Sequence, residues 1–146
     1  MDDFMKQALD QALAAAARGE VPVGAVLVKD GKVIAANGNR VEELSDPTAH
    51  AEIQVIRAAG TLLKSPRLED CDLYVTLEPC PMCAAAIAHA RLRRLYFGAY
   101  DPKGGGVEHG ARVFERSTCH HHPEVVGGLH EVEAAAILRD FFRQRR

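Results

Sequence analysis

Apolar residues fall along this chain in two alternating rhythms. Phe4, Met5, Leu9, Ala12, Leu13 and Ala16 recur three to four residues apart, which predicts a helix over 2–18. Asp2 and Asp3 suit its positive end, and Gly19 stops it. The stretch "VGAVLVKDGKVIAANG" (23–38) then reads as a hairpin, two runs around Asp30-Gly31, a pair suited to the positive backbone angles of a tight turn. After the polar "NRVEELSDP", a helix is expected over 48–59, capped by Asp46 or Thr48, with Pro47 at its start and Gly60 at its end.

The second half alternates more strictly. "DLYVTL" (72–77) reads as a strand, "CPMCAAAIAHAR" (80–91) as a helix and "RLYFGAY" (94–100) as a strand, an order that implies a right-handed parallel crossover. "KGGG" (103–106) lacks the Lys-Ser/Thr of a phosphate loop and reads as a flexible connection. "PEVV" (123–126) is a candidate fifth strand. A last helix, 131–146, carries Ala134, Ile137, Leu138, Phe141 and Phe142 as one stripe, with arginines toward its negative end.

The 146 residues fit one domain, 1–146, and the balance of 47% apolar and 26% charged residues is that of a soluble globular protein. No membrane-spanning run is present, and the acidic, amphipathic start does not resemble a secretory signal, so a cytoplasmic location is expected. The net charge of −2 conceals a gradient: −5 over residues 1–84 and +3 over 85–146. That is compatible with an anionic partner on the C-terminal half, though many enzymes of small molecules share it.

Four cysteines do not make a disulfide scaffold in such a chain. Cys71 and Cys119 read as ordinary thiols. Cys80 and Cys83 read as a metal pair, because positions i and i+3 of a first helical turn share a side and free amides there favour thiolate. His50, near the start of the preceding predicted helix, can supply a nitrogen ligand. One His and two Cys suit Zn²⁺ with an open fourth position. Glu52, two residues on, can converge on the same point if the helix is viewed end-on.

Each piece has a plainer explanation. Cys-x-x-Cys can be structural or redox-active, a His at a helix start can be a surface residue, and a first-turn Glu can be a solvated charge. In combination, His-x-Glu and, 30 residues after the His, Pro-Cys-x-x-Cys, they make a specific pattern.

"HAE" with "PCPMC" resembles the signature of the zinc-dependent nucleobase deaminases. "VPVGAVLV", "DPTAHAEI", "LYVTLEPCPMCAAAI", "FGAYDPK" and "RDFFRQRR" are similar, nearly end to end, to the bacterial tRNA-specific adenosine deaminases of that superfamily. The likeness is weakest over Gly104–His122, which leaves His120, His121 and His122 without a role. The element order agrees with the fold it implies: an α/β, three-layer α/β/α domain with a mixed five-stranded sheet.

The resemblance further implies one Zn²⁺ per subunit on His50, Cys80 and Cys83, with Glu52 as the proton carrier. The implied substrate is the wobble adenosine of a tRNA anticodon loop, deaminated to inosine by a homodimer. Asn39 is placed at the base pocket, although Gly-Asn also suits a turn. Asp101 is placed at the sugar or backbone, although it also reads as a plain loop residue. Phe142, Arg143 and Arg146 are placed at flanking nucleotides, although the two phenylalanines also suit a core stripe. Two other readings stand beside this one: a deaminase of free bases, and a non-catalytic zinc module closed by Cys71, Cys119 or one of His120–His122.

Overall fold

The computed structural model describes residues 2–145. It contains α1 (Phe4–Ala17), β1 (Gly24–Lys29), β2 (Lys32–Gly38), α2 (Val41–Leu44), α3 (Ala51–Leu63), β3 (Cys71–Leu77), α4 (Pro81–His89), β4 (Arg94–Ala99), β5 (Glu124–Val126) and α5 (Glu131–Arg143), plus a 3-10 turn at Val113–Glu115. The strands form one sheet in the order β2-β1-β3-β4-β5. β1 pairs antiparallel with β2 and β3, whereas β3–β4 and β4–β5 are parallel. Helices α1 and α5 cover one face, and α3 and α4 the other. The expected mixed five-stranded α/β/α architecture is therefore present.

Most elements follow their periodicity. Asp30 and Gly31 both take positive φ, as the hairpin turn requires. Asp3 caps α1 by accepting a hydrogen bond from Lys6 N at 3.0 Å. The buried face of α1 is Met5, Ala8, Leu9, Ala12 and Ala15, so Leu13, assigned to the stripe from sequence, is exposed. The small residues decide which face packs. A Cβ on Gly24 would stand 2.0 Å from Ala8 O and 2.4 Å from Ala12 N, so the helix backbone lies directly against β1.

Two boundaries differ from expectation. Asp46 Oδ1 accepts from Thr48 N and Thr48 Oγ1, at 2.8 and 2.7 Å, and so makes a turn rather than a helix cap. Helix α3 starts only at Ala51 and runs on through Gly60 to Leu63, ending at Lys64 in the left-handed region. A glycine costs a helix about 1 kcal/mol relative to alanine, too little to break one that the sheet supports. The "VEEL" segment, read as polar loop, forms the short α2, whose Glu42 and Glu43 amides donate to the buried Glu20 carboxylate at 3.1 and 2.9 Å.

The N-termini of α1 and α5 are latched together. His130 Nε2 lies 2.9 Å from Asp3 Oδ2, and His130 Nδ1 lies 2.5 Å from Glu133 Oε2. Both partners are acceptors, so both ring nitrogens must donate, and only the imidazolium can do that. The hydrogen bond to Glu133, then that to Asp3, raises the His130 pKa above its ordinary value.

Gly24→Ala is expected to destabilise the protein by about 3 kcal/mol or more through overpacking against α1, read as a fall in Tm on the order of 10 °C. The latch is expected to act in the opposite sense to acid lability. Its stabilisation is complete below the ordinary histidine pKa and fades as pH rises through the raised value. Thermal melts of wild type and His130→Gln should therefore differ most at mildly acid pH and converge toward pH 9; equal separation at all pH values would exclude the latch.

Candidate active site

Helices α3 and α4 point their N-termini at one another, and each N-cap position carries a candidate ligand. His50 is the N-cap of α3 and Cys80 the N-cap of α4; both are in extended backbone and neither side chain caps its own helix. Pro81 opens α4, where its missing N–H costs nothing. Cys83, one turn in, faces the same way as Cys80. His50 Nδ1 lies 3.7 Å from Cys80 Sγ and 3.5 Å from Cys83 Sγ, and the three donor atoms lie within 4.8 Å of one another. They could hold a metal ion.

The ionisation of the trio supports a cationic occupant. Cys80 is pulled down to about 4, chiefly by its hydrogen bond with Cys83. The same bond, together with burial, pushes Cys83 strongly up. Two thiolates within 4.8 Å of each other repel. A cation among the donors removes that conflict, and paired thiolates with imidazole suit Zn²⁺. Among the described residues none of Cys71, Cys119 or His120–His122 joins the trio. Cys119, His120 and His121 line a separate cavity beside α4, where His121 Nε2 meets Leu92 O at 2.6 Å. Among the described residues, no fourth His or Cys ligand of the kind a closed structural site needs is therefore in place.

Glu52, in the first turn of α3, is 4% exposed and stands outside the donor set. Burial raises its pKa to about 7, against the opposing pull of the His50 charge. A carboxyl poised there can both accept and return a proton near neutral pH.

His50, Cys80 and Glu52 line a cavity of about 580 Å³, in the range that admits a nucleoside, with Cys83 buried behind them. Asn39 lines it, 8% exposed, with its Oδ1 accepting from Ala51 N at 2.8 Å. Asn39 thus supplies α3 with the cap that His50 does not, and its NH₂ group is what it has left to offer a ligand. Asp101 and Gly104 form another wall, joined by an Asp101 Oδ1 to Gly104 N bond of 2.9 Å.

The C-terminal helix contributes differently from the expectation. Phe141 and Arg145 line the cavity, with the guanidinium 3.5 Å from the ring centroid. Phe142 and Arg143 do not line it; both are exposed, Phe142 set edge-on to Phe141. Arg146 lies outside the described residues. The apolar stripe gave both phenylalanines equal claim to the core, and only the packing of α5 against β3 and β4 separates them. Glu20 and Glu78, also buried and lining the cavity, had no visible motif of their own.

The profile of the MafB19-like deaminase family matches residues 1–146. A tRNA-specific adenosine deaminase of Agrobacterium fabrum (strain C58) is 63% identical over 143 residues, covering 98% of this chain and 94% of that protein. The tRNA-specific adenosine deaminase of Bacillus subtilis (strain 168) is 45% identical, covering 98% and 89%. A structure solved in studies of A-to-I editing by tRNA:A34 deaminases at the wobble position superposes with a TM-score of 0.91 at 63% identity, covering 92% of this chain and 98% of that one. Guanine deaminase from Nitrosomonas europaea superposes at 0.82 with 25% identity, covering 94% and 82%. On these matches the chain belongs to the MafB19-like deaminase family, in the company of its tRNA-specific adenosine deaminases.

Proposed function

We propose that this chain hydrolyses adenosine to inosine at the wobble position of a tRNA anticodon, as a single domain over residues 1–146. The observation that carries the reading is a buried Glu52 beside a three-donor metal set, at a nucleoside-sized cavity that Glu52, His50 and Cys80 line. The 63% identity to a tRNA-specific adenosine deaminase over nearly the whole of both chains supports the choice of base and polymer. Cytoplasmic residence and a homodimeric state belong to the same reading; among the described residues no helix is long and apolar enough to cross a membrane.

One Zn²⁺ per subunit, held by His50 Nδ1 and the sulfurs of Cys80 and Cys83, would lower the pKa of a neighbouring water from about 15.7 to roughly 7. Glu52 takes the first proton of the attacking water and delivers it to N1 of the purine as the C6–O bond forms. It then takes the second proton from that oxygen and gives it to the exocyclic amine. The C6–N bond breaks, ammonia leaves and a carbonyl remains at C6. One carboxyl serves as base and then as acid, which a pKa near 7 permits.

The remaining residues bind and orient. Asn39 offers its NH₂ donors to an acceptor on the base edge. Asp101 faces the sugar or backbone of the target nucleotide. Phe142 and Arg143, exposed beside the cavity residues of α5, are available for stacking and charge with flanking nucleotides. A base in a single-stranded loop can be splayed into such a pocket for a few kcal/mol.

Glu52→Ala is expected to retain one zinc per chain by metal analysis while deamination falls by about 10²–10⁴-fold. Cys83→Ala is expected to lose both metal and turnover; parental rates in Glu52→Ala would remove Glu52 from the chemistry. In a second assay, wild-type protein should convert adenosine in an anticodon stem-loop, read by sequencing, and release no ammonia from free adenine, guanine or cytosine. Ammonia from a free base with none from the stem-loop would assign the cavity to the base deaminases instead.

A further inference from the structure

Glu78 is a carboxylate with no part in the chemistry above, yet it is the most heavily hydrogen-bonded side chain near the site. It stands directly after β3, and its side chain is wholly buried. Oε1 accepts from Asp101 N at 3.0 Å and faces His109 Nδ1 at 2.8 Å. Oε2 accepts from three consecutive amides, Val107 N, Glu108 N and His109 N, at 3.2, 2.8 and 3.0 Å. Successive N–H groups converging on one point make an anion-binding nest, and here the protein supplies its own anion. Burial opposes the charge, and these donors outweigh it and hold the carboxyl below its ordinary pKa.

All of the donors belong to one segment, 101–109, and that segment is pressed onto its anchor. A Cβ on Gly105 would come within 2.5 Å of Glu78 Oε2, and one on Gly106 within 2.6 Å of Pro81 N. Gly106 N also donates to Pro79 O at 2.8 Å. The glycines thus serve close approach, and the "KGGG" stretch is a bound wall where the sequence suggested a flexible connection. Its cavity-facing members are Asp101 and Gly104.

We infer that Glu78, with His109 as its side-chain partner, is a positioning residue that fixes the 101–109 wall and so sets where Asp101 meets the target nucleotide. The inference rests on the deaminase reading for its kinetic consequence, but the fixing of the wall can be read without turnover. A glutamine at 78 is not a neutral change: with one acceptor and two donors, it would turn an NH₂ group onto amides that need an acceptor.

The test uses zinc-loaded wild type, Glu78→Gln, His109→Ala, Asp101→Ala and the Glu78→Gln/Asp101→Ala double variant. Amide exchange at 107–109 should quicken in Glu78→Gln and, less, in His109→Ala, with zinc still at one per chain. On an anticodon stem-loop, Glu78→Gln should raise KM about tenfold, a change that a mere loss of folded protein would not produce. In the Asp101→Ala background it should raise KM by less than about twofold, because the two act through one contact. Wild-type exchange in both single variants, an unmoved KM, or effects that multiply in the double variant would each overturn the inference. Should Glu78→Gln not fold, the half-exposed His109→Ala carries the exchange and KM readouts. Wild-type protein inactive on the stem-loop would instead fail the proposed function, with the exchange data still deciding whether Glu78 holds the wall.

Discussion

The constraint on which the site depends is the collision of two positive helix ends. Helices α3 and α4 lie on one face of the sheet with their N-termini converging, and unsatisfied amides at both mouths create a demand for negative charge. Most helices meet that demand with a Ser, Asp or Asn at the N-cap. Here the N-caps are His50 and Cys80, whose side chains turn away from their own amides toward a shared point. The helix ends favour thiolate, the thiolates call for a cation, and the cation position is fixed by the sheet that fixes the helices. Asn39, reaching across from the end of β2, caps α3 in place of His50 and leaves that imidazole free.

This arrangement explains which parts were legible in the linear chain. The i, i+3 spacing of Cys80 and Cys83 is a local relation, as are the alternation of the strands and the 3.6-residue rhythm of α1. His50 is legible as a donor, but the sequence pattern starts the helix that presents it three residues too early, at 48 rather than Ala51. Asp46-Pro47-Thr48 has the composition of a cap and is instead a turn. The competition was settled by Asn39 in another element, which a window on the sequence does not see. The same limit applies to Phe141 and Phe142. Both fit the stripe, but α5 turns Phe141 to the cavity, where Arg145 just past the helix joins it, and leaves Phe142 outside.

The glycine-rich segment is ambiguous in sequence because glycine has two uses. It frees a chain, or it lets backbones touch, and composition does not say which. The distances decide for contact at Gly105 and Gly106, as they do at Gly24 beneath α1. In all three places the glycine sits where a second backbone or a carboxylate already occupies the space of a Cβ. Rigid attachment of this kind suits the wall of a site that must hold one base in one orientation.

Two buried carboxylates within one cavity lining illustrate how environment divides labour. Glu52 and Glu78 are 4% and 2% exposed, and burial raises the pKa of each. Glu52 has too few donors to offset that burial and settles at about 7, where it exchanges protons readily. Glu78 gathers the amides of a whole loop and is held below the ordinary value, so it stays charged at any pH where the enzyme would work. No lysine or arginine among the described residues pairs with either; burial, helped by the neighbouring Cys80 charge, dominates at Glu52, whereas the loop amides and His109 outweigh it at Glu78. A proton carrier must be nearly indifferent to its proton, whereas an anchor must never accept one. Placing both at the mouths of neighbouring elements lets one site hold its reactive carboxyl and its scaffold carboxyl a few residues from the same metal donors without exchanging their roles.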